Sequence, residues 1–176
     1  MFKRLLSLGG AALAAVTAAC EDGPATVAGT WRSPATWSTM VWASAEGPML
    51  VEVHGRPFAN LAAAELDPQV AAALSNQVIG RVVTFTHRRD DAPRPEYRVV
   101  LAFNAPDKTD ASELCAGPVA TAAAPRDRIT VIAAFCDGGR ALSSVRGWVA
   151  KVDGPADQRF RQLLGQVARD LFGNPE

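Results

Sequence analysis

The stretch 128-RITVIAAFCDGGRALSSVRGWVA-150 decides how this chain folds. Ile129, Val131, Ala133 and Phe135 alternate along one face, the period-two signature of a strand. Asp137, Gly138 and Gly139 follow at once and supply the positive-φ residues of a tight turn. The returning segment places Val145 and Val149 on one face and Trp148 on the other. The stretch therefore predicts an antiparallel hairpin with one apolar face in need of cover. Cys136 ends the first strand on the face opposite Phe135.

The cover is predicted directly downstream. In 154-GPADQRFRQLLGQVARDLFGNPE-176, Phe160, Leu163, Leu164, Val167, Leu171 and Phe172 form one stripe. Arg159, Arg161, Gln162, Gln166, Arg169 and Asp170 form the wet side, which makes the segment an amphipathic helix. Pro155 starts it and Gly173 stops it. Docking on the sheet is the ordinary fate of such a stripe, and lying on a membrane surface is the alternative.

Upstream, Tyr97, Val99, Leu101 and Phe103 line one face of another strand. Val83 and Phe85 alternate with Thr84 and Thr86, so 81–104 is expected to be two strands around a solvated loop, RRDDAPRP. Val51 and Val53 oppose Glu52 and His54 in a further strand that Gly55 and Pro57 end. Between these lies a predicted helix with Asp67 as N-cap, Pro68 in its first turn, a Val70, Leu74, Val78 stripe and Gly80 at its close. Asp110 stands three residues before Glu113, the spacing of a capping box, so a short helix should carry Cys115. Trp31, Trp37 and Trp42 cluster early, and 36-TWSTMVWA-43 alternates as a first strand would. The expected fold is α+β: a mainly antiparallel, two-layer sheet of about five strands with two main helices on one face.

The amino terminus reads differently. Lys3 and Arg4 are followed by an uncharged run from Leu5 to Ala19, shorter than the roughly 20 residues of a membrane span. A positive start, a short apolar core and small residues before Cys20 are the parts of a secretory signal peptide. The segment resembles the signal peptide of bacterial lipoproteins, whose lipobox is matched by Thr17, Ala18, Ala19 and Cys20. Thr17 stands where that family usually has Leu, which keeps an ordinary signal peptidase open as the processing enzyme. The resemblance implies cleavage before Cys20, a diacylglyceryl group on its thiol and often a further acyl chain on its amine, such as palmitate. Two or more chains hold a protein stably on a membrane. The expected organisation is a signal peptide over 1–19, a lipidated Gly/Pro-rich tether over 20–35 and one α+β domain over 36–176. In that family an Asp directly after the cysteine favours the inner membrane. Here Glu21 holds that place and Asp22 follows, which favours the outer membrane.

With Cys20 assigned to lipid, Cys115 and Cys136 remain of the three cysteines. In an oxidising periplasm the pair is expected to form a disulfide, the alternative being two separate buried thiols. Removing Lys3 and Arg4 leaves 16 basic against 18 acidic residues, a net charge of about −2. That balance argues against a general nucleic-acid surface, which needs a basic excess.

Chemistry-bearing motifs are sparse. His54 and His87 have no ligand at metal spacing, and neither H-E-x-x-H nor paired C-x-x-C is present. No G-x-S-x-G elbow and no phosphate-binding loop occur. No cofactor and no metal are expected. The function expected from these features is a non-enzymatic, lipid-anchored periplasmic domain that binds an envelope protein or assists assembly. Trp37, Trp42 and His54 are its candidate binding surface. The alternatives are glycan binding through the tryptophans, or a periplasmic hydrolase around Glu52, His54 and His87.

Overall fold

A computed structural model describes residues 22–122 and 127–174. The signal peptide expected over 1–19 and the expected lipidation site Cys20 lie outside the described residues. In chain order the elements are β1 (Ala25–Ala28), α1 (Thr36–Ala43), β2 (Met49–His54), α2 (Ala63–Leu74), β3 (Phe85–Thr86), a 3₁₀ turn (Arg89–Asp91), β4 (Tyr97–Phe103), α3 (Ala111–Ala116), β5 (Arg128–Asp137), β6 (Arg140–Ala150) and α4 (Gln158–Phe172).

The fold is α+β, built on one six-stranded sheet of order β1-β6-β5-β4-β2-β3. The β5–β6 hairpin and the antiparallel β4–β5 pair form as the alternation predicts. Phe135 pairs with Ser143 and Cys136 with Ala141, so Leu142 is an extra residue in β6. The sheet is mixed, however: β2 runs parallel to both β4 and β3. The hairpin expected over 81–104 does not exist, because β2 lies between its two strands. β2 opens with Met49, Leu50 and Val51 all buried, the continuous apolar run of a strand covered on both faces. Local alternation around a polar loop cannot reveal a strand that inserts from elsewhere.

Two further expectations are corrected. The segment 36–43 is helix α1 rather than a strand. Met40 and Ala43, three apart, are buried beneath it, and Thr36 donates its hydroxyl to the Leu142 carbonyl (3.1 Å). The tether expected over 20–35 is ordered against the sheet from Asp22 onward: Ala25–Ala28 pair with Trp148–Val145, and Ser33 N–H donates to the Leu142 carbonyl (2.7 Å). Gly147 permits this approach. A Cβ there would lie 2.8 Å from Leu163 Cδ1 and 3.1 Å from the Ala25 carbonyl oxygen.

α2 starts earlier than its sequence signals suggest. Ala62 caps it and Glu65 accepts from the Ala62 N–H, while Pro68 sits inside. Burial of Leu66 draws in the extra turn. The helix stops at Leu74 instead of reaching Gly80. There the Ser75 hydroxyl donates to the Ala71 carbonyl (2.8 Å) and accepts from the Phe85 N–H (2.9 Å), tying the helix end to β3.

The main core lies between one sheet face and α1, α2 and α4. Phe160, Leu163, Leu164, Val167, Leu171 and Phe172 of α4 are all buried there, so the amphipathic stripe docks on the sheet. Phe172 meets Phe135 edge-on at 5.1 Å and stacks on Phe85 at 6.3 Å. The opposite face has a smaller core of Val100, Ala102, Ile132, Ala134 and Cys136 under Leu114 and Cys115 of α3. Helices thus lie on both faces, not one. A disulfide joins Cys115 to Cys136 with Cα atoms 5.6 Å apart, and pins α3 over the end of β5. Asp110 caps α3 by accepting from Ser112 N–H (2.8 Å), while Glu113 accepts from Asp110 N–H (3.2 Å), the predicted capping box. Among the described residues no helix is long and apolar enough to cross a membrane.

Candidate binding surface

α3 has only six residues, so it covers only the middle of its sheet face. Arg146 of β6 donates to the Thr109 carbonyl and bridges the strand to the loop before α3. On either side of that bridge the sheet is open. One cleft, of about 510 Å³, is lined by Trp31, Asp110, Ser112, Arg140 and Ser144. Trp31 is 58% exposed there although its chain neighbours are held to β6. Ser112 donates its N–H and hydroxyl to Asp110, which keeps that carboxyl below the usual carboxylate range. The cleft therefore presents an exposed indole, a fixed carboxylate, a guanidinium and hydroxyls together. The second cleft, of about 350 Å³, is lined by Val27, Asp107, Arg128, Thr130 and Trp148. The Arg128 guanidinium stands 5.0 Å from the Trp148 ring centroid. The Trp148 indole N–H is buried and has no hydrogen-bond partner among the described residues.

The residues expected to form one binding surface are not brought together. Trp37 is half-buried and packs against the main core. Trp42 is exposed, meets Tyr97 edge-on at 5.1 Å and carries the Arg94 guanidinium 4.0 Å above its ring. Arg94 is held there by the Trp42 carbonyl and Glu46, both at 2.8 Å. His54 pairs with Ala102, five residues along β4 from Tyr97. At the rise of a strand that separation is roughly 16 Å. Trp42 and His54 thus belong to opposite ends of the sheet.

The proposed acid–base pair is rearranged as well. Glu52 does share a face of β2 with His54, but its carboxylate is bound by Arg98 (2.8 Å) and Arg89 (3.6 Å). Arg98 also donates to the carbonyls of Gly138 (2.9 Å) and Cys115 (3.0 Å), so it ties β2, the hairpin turn and α3 together. The acid near the histidines is Asp67. Burial raises its pKa, and the charges of His87 and His54 oppose the rise. Its Oδ1 is buried and has no hydrogen-bond partner among the described residues. Sequence reading spent Asp67 on a helix cap and so missed it. Among the described residues no group of three or more His, Cys, Asp or Glu side chains could hold a metal ion.

No protein-family profile matches the chain, and no curated protein matches it. Among solved structures, the PelC dodecamer from Paraburkholderia phytofirmans is similar at 13% identity and a TM-score of 0.45, over 85% of this chain and 99% of that one. A single-substitution variant of the same dodecamer is similar at 12% identity and a TM-score of 0.41, over the same shares.

Proposed function

We propose that this chain is an exported, lipid-anchored envelope protein whose folded part is a non-enzymatic binding domain. Its anchor is Cys20 and its binding surface is the half-open sheet face beside α3. The observation that carries the binding role is the cleft at Trp31. An indole left 58% exposed next to a capped carboxylate and an arginine suits recognition better than core packing. The Cys115–Cys136 bridge supports the compartment, because such bonds persist where the medium is oxidising. The glycan reading moves with the surface, from Trp37 and Trp42 to Trp31, where an aromatic face and polar groups share one cleft.

The test has two arms. Cys20→Ala should shift the protein from the detergent phase to the aqueous phase, and unchanged partitioning would count against the anchor. A photo-crosslinking residue at Trp31 should trap a defined envelope component in living cells, and one at Thr39 on α1 should not. Equal or absent trapping at both positions would remove the binding surface.

A hydrolytic role is the second reading, and it now rests on Asp67 with His54 and His87 rather than on Glu52. His54→Gln and His87→Gln should then abolish turnover with folding retained. An unchanged function in both would dismiss it.

A further inference from the structure

The beginning of the described chain is clamped by four contacts to Asp22 and Gly23 and then by β1. Ala150 N–H donates to the Asp22 carbonyl (2.7 Å), and Lys151 Nζ binds the Asp22 carboxylate (2.6 Å). Arg159 donates to the carbonyls of Asp22 (3.1 Å) and Gly23 (2.6 Å). From Ala25 the ladder with β6 takes over, and Thr26 donates its hydroxyl to Asp170 of α4. The hydrogen bond from Lys151 lowers the Asp22 carboxyl below its ordinary value.

Asp22 stands only two residues after Cys20. Two residues span at most about 7 Å whatever their conformation. The headgroup layer on one side of a bilayer is roughly 5–7 Å deep. We propose that the domain stands flush on the leaflet that holds the Cys20 lipid, with the Asp22 end of the sheet against the headgroups. This rests on the lipidation of Cys20 proposed above.

The same end carries the start of β5, the end of β6 and the start of α4. A cleft of about 460 Å³ opens there between the Pro57–Asn60 loop and Arg128, Lys151 and Val152. Arg128 and Lys151 are exposed, and with Lys151 paired to Asp22 it is Arg128 that offers a cation to lipid phosphates. Asp127 and Asp153 alternate with them, so charge adds little to the attachment. The acyl chains supply the attachment, and the clamp sets the orientation. The opposite end is the Gly138–Gly139 turn, ten residues along β5 and therefore roughly 33 Å away. Trp42 and the Trp31 cleft belong to that far half and would face the periplasm.

The experiment uses the full-length protein purified from membranes and reconstituted in vesicles of phosphatidylethanolamine and phosphatidylglycerol. A fluorophore is placed at Asp153→Cys near the clamp or at Gly139→Cys at the turn, with a quencher on the lipid headgroups. Quenching at 153 should exceed that at 139 by at least about threefold. A 20-residue Gly/Ser insertion between Glu21 and Asp22, with an average reach of about 25 Å, should lower quenching at 153 to the level at 139. Equal quenching at both positions without the insertion, in material whose intact mass shows acylated Cys20, overturns the flush orientation alone. Material with no fatty acid on Cys20 overturns the anchor and this orientation with it.

Discussion

Arg98 shows how much one side chain settles in this fold. It is largely buried, and its three donor groups bind Glu52 and the carbonyls of Gly138 and Cys115. Removing it leaves two carbonyls without their donor and the Glu52 carboxylate with Arg89 as its remaining partner. Arg98→Ala is expected to cost about 2 kcal/mol or more, read from urea unfolding. A loss below about 0.5 kcal/mol would mean that water replaces the guanidinium without penalty. Asp67 is the opposite case, a charge the fold tolerates rather than uses. Its folded pKa is raised, chiefly by burial, so the native state binds the proton more tightly than the unfolded chain does. The stability it contributes is full below its ordinary value and is lost as pH rises through the folded value. Asp67→Asn should therefore raise Tm at pH 7, and the gain should fade as pH drops below the ordinary carboxylate range. A gain that stays constant with pH would show that the change acts through packing instead. Neither residue stood out from the sequence. Arg98 lies in a strand of apolar alternation, and Asp67 precedes a proline, which suits a helix cap equally well.

At the level of elements, what was legible divides by range. The β5–β6 hairpin, β4, the capped helix α3 and the amphipathic helix α4 all carry their signal within their own residues. Periodicity, turn glycines and caps suffice for them. β1 and α1 do not, and β3 is legible as a strand but not in its partner. β1 is four residues of a Gly/Pro-rich stretch and exists because β6 offers an edge and Gly147 leaves room. β3 is two residues joined to β2, a pairing set by α2 crossing between them. α1 alternates like a strand, yet Met40 and Ala43 sink into the core at helical spacing. The cleft at Trp31 shares this fate: it is made of β1's extension, α3 and the hairpin, three segments far apart in sequence. α4 should be the most sensitive element. Phe172→Ala removes a fully buried ring that touches Phe85 and Phe135, and should cost about 3–5 kcal/mol by calorimetry or denaturant. A cost under about 1 kcal/mol would contradict the packing described for the main core.

At the scale of the whole molecule, the two sheet faces play different parts. One is sealed by α1, α2 and α4 and holds most of the buried apolar side chains. Among the described residues the other is covered by α3, which Arg98 and a disulfide hold in place, the disulfide closing a loop with a sequence separation of 21. In the chain-entropy picture such a loop is worth about 3 kcal/mol. Reduction, or Cys136→Ala, should lower stability by about that amount, and by more if α3 lifts off the face. No change on reduction would mean that the bond is absent in the folded protein. The disulfide was open to inference only once export was assumed, since two cysteines 21 apart have many other fates. Export links the anchor and the oxidised thiols, and one intact-mass measurement on protein purified from membranes reads processing, acylation and the disulfide. The expected mass begins at Cys20, carries acyl groups and rises by two hydrogens on reduction of Cys115 and Cys136. An intact Met1, or a processed terminus with no fatty acid, would contradict it.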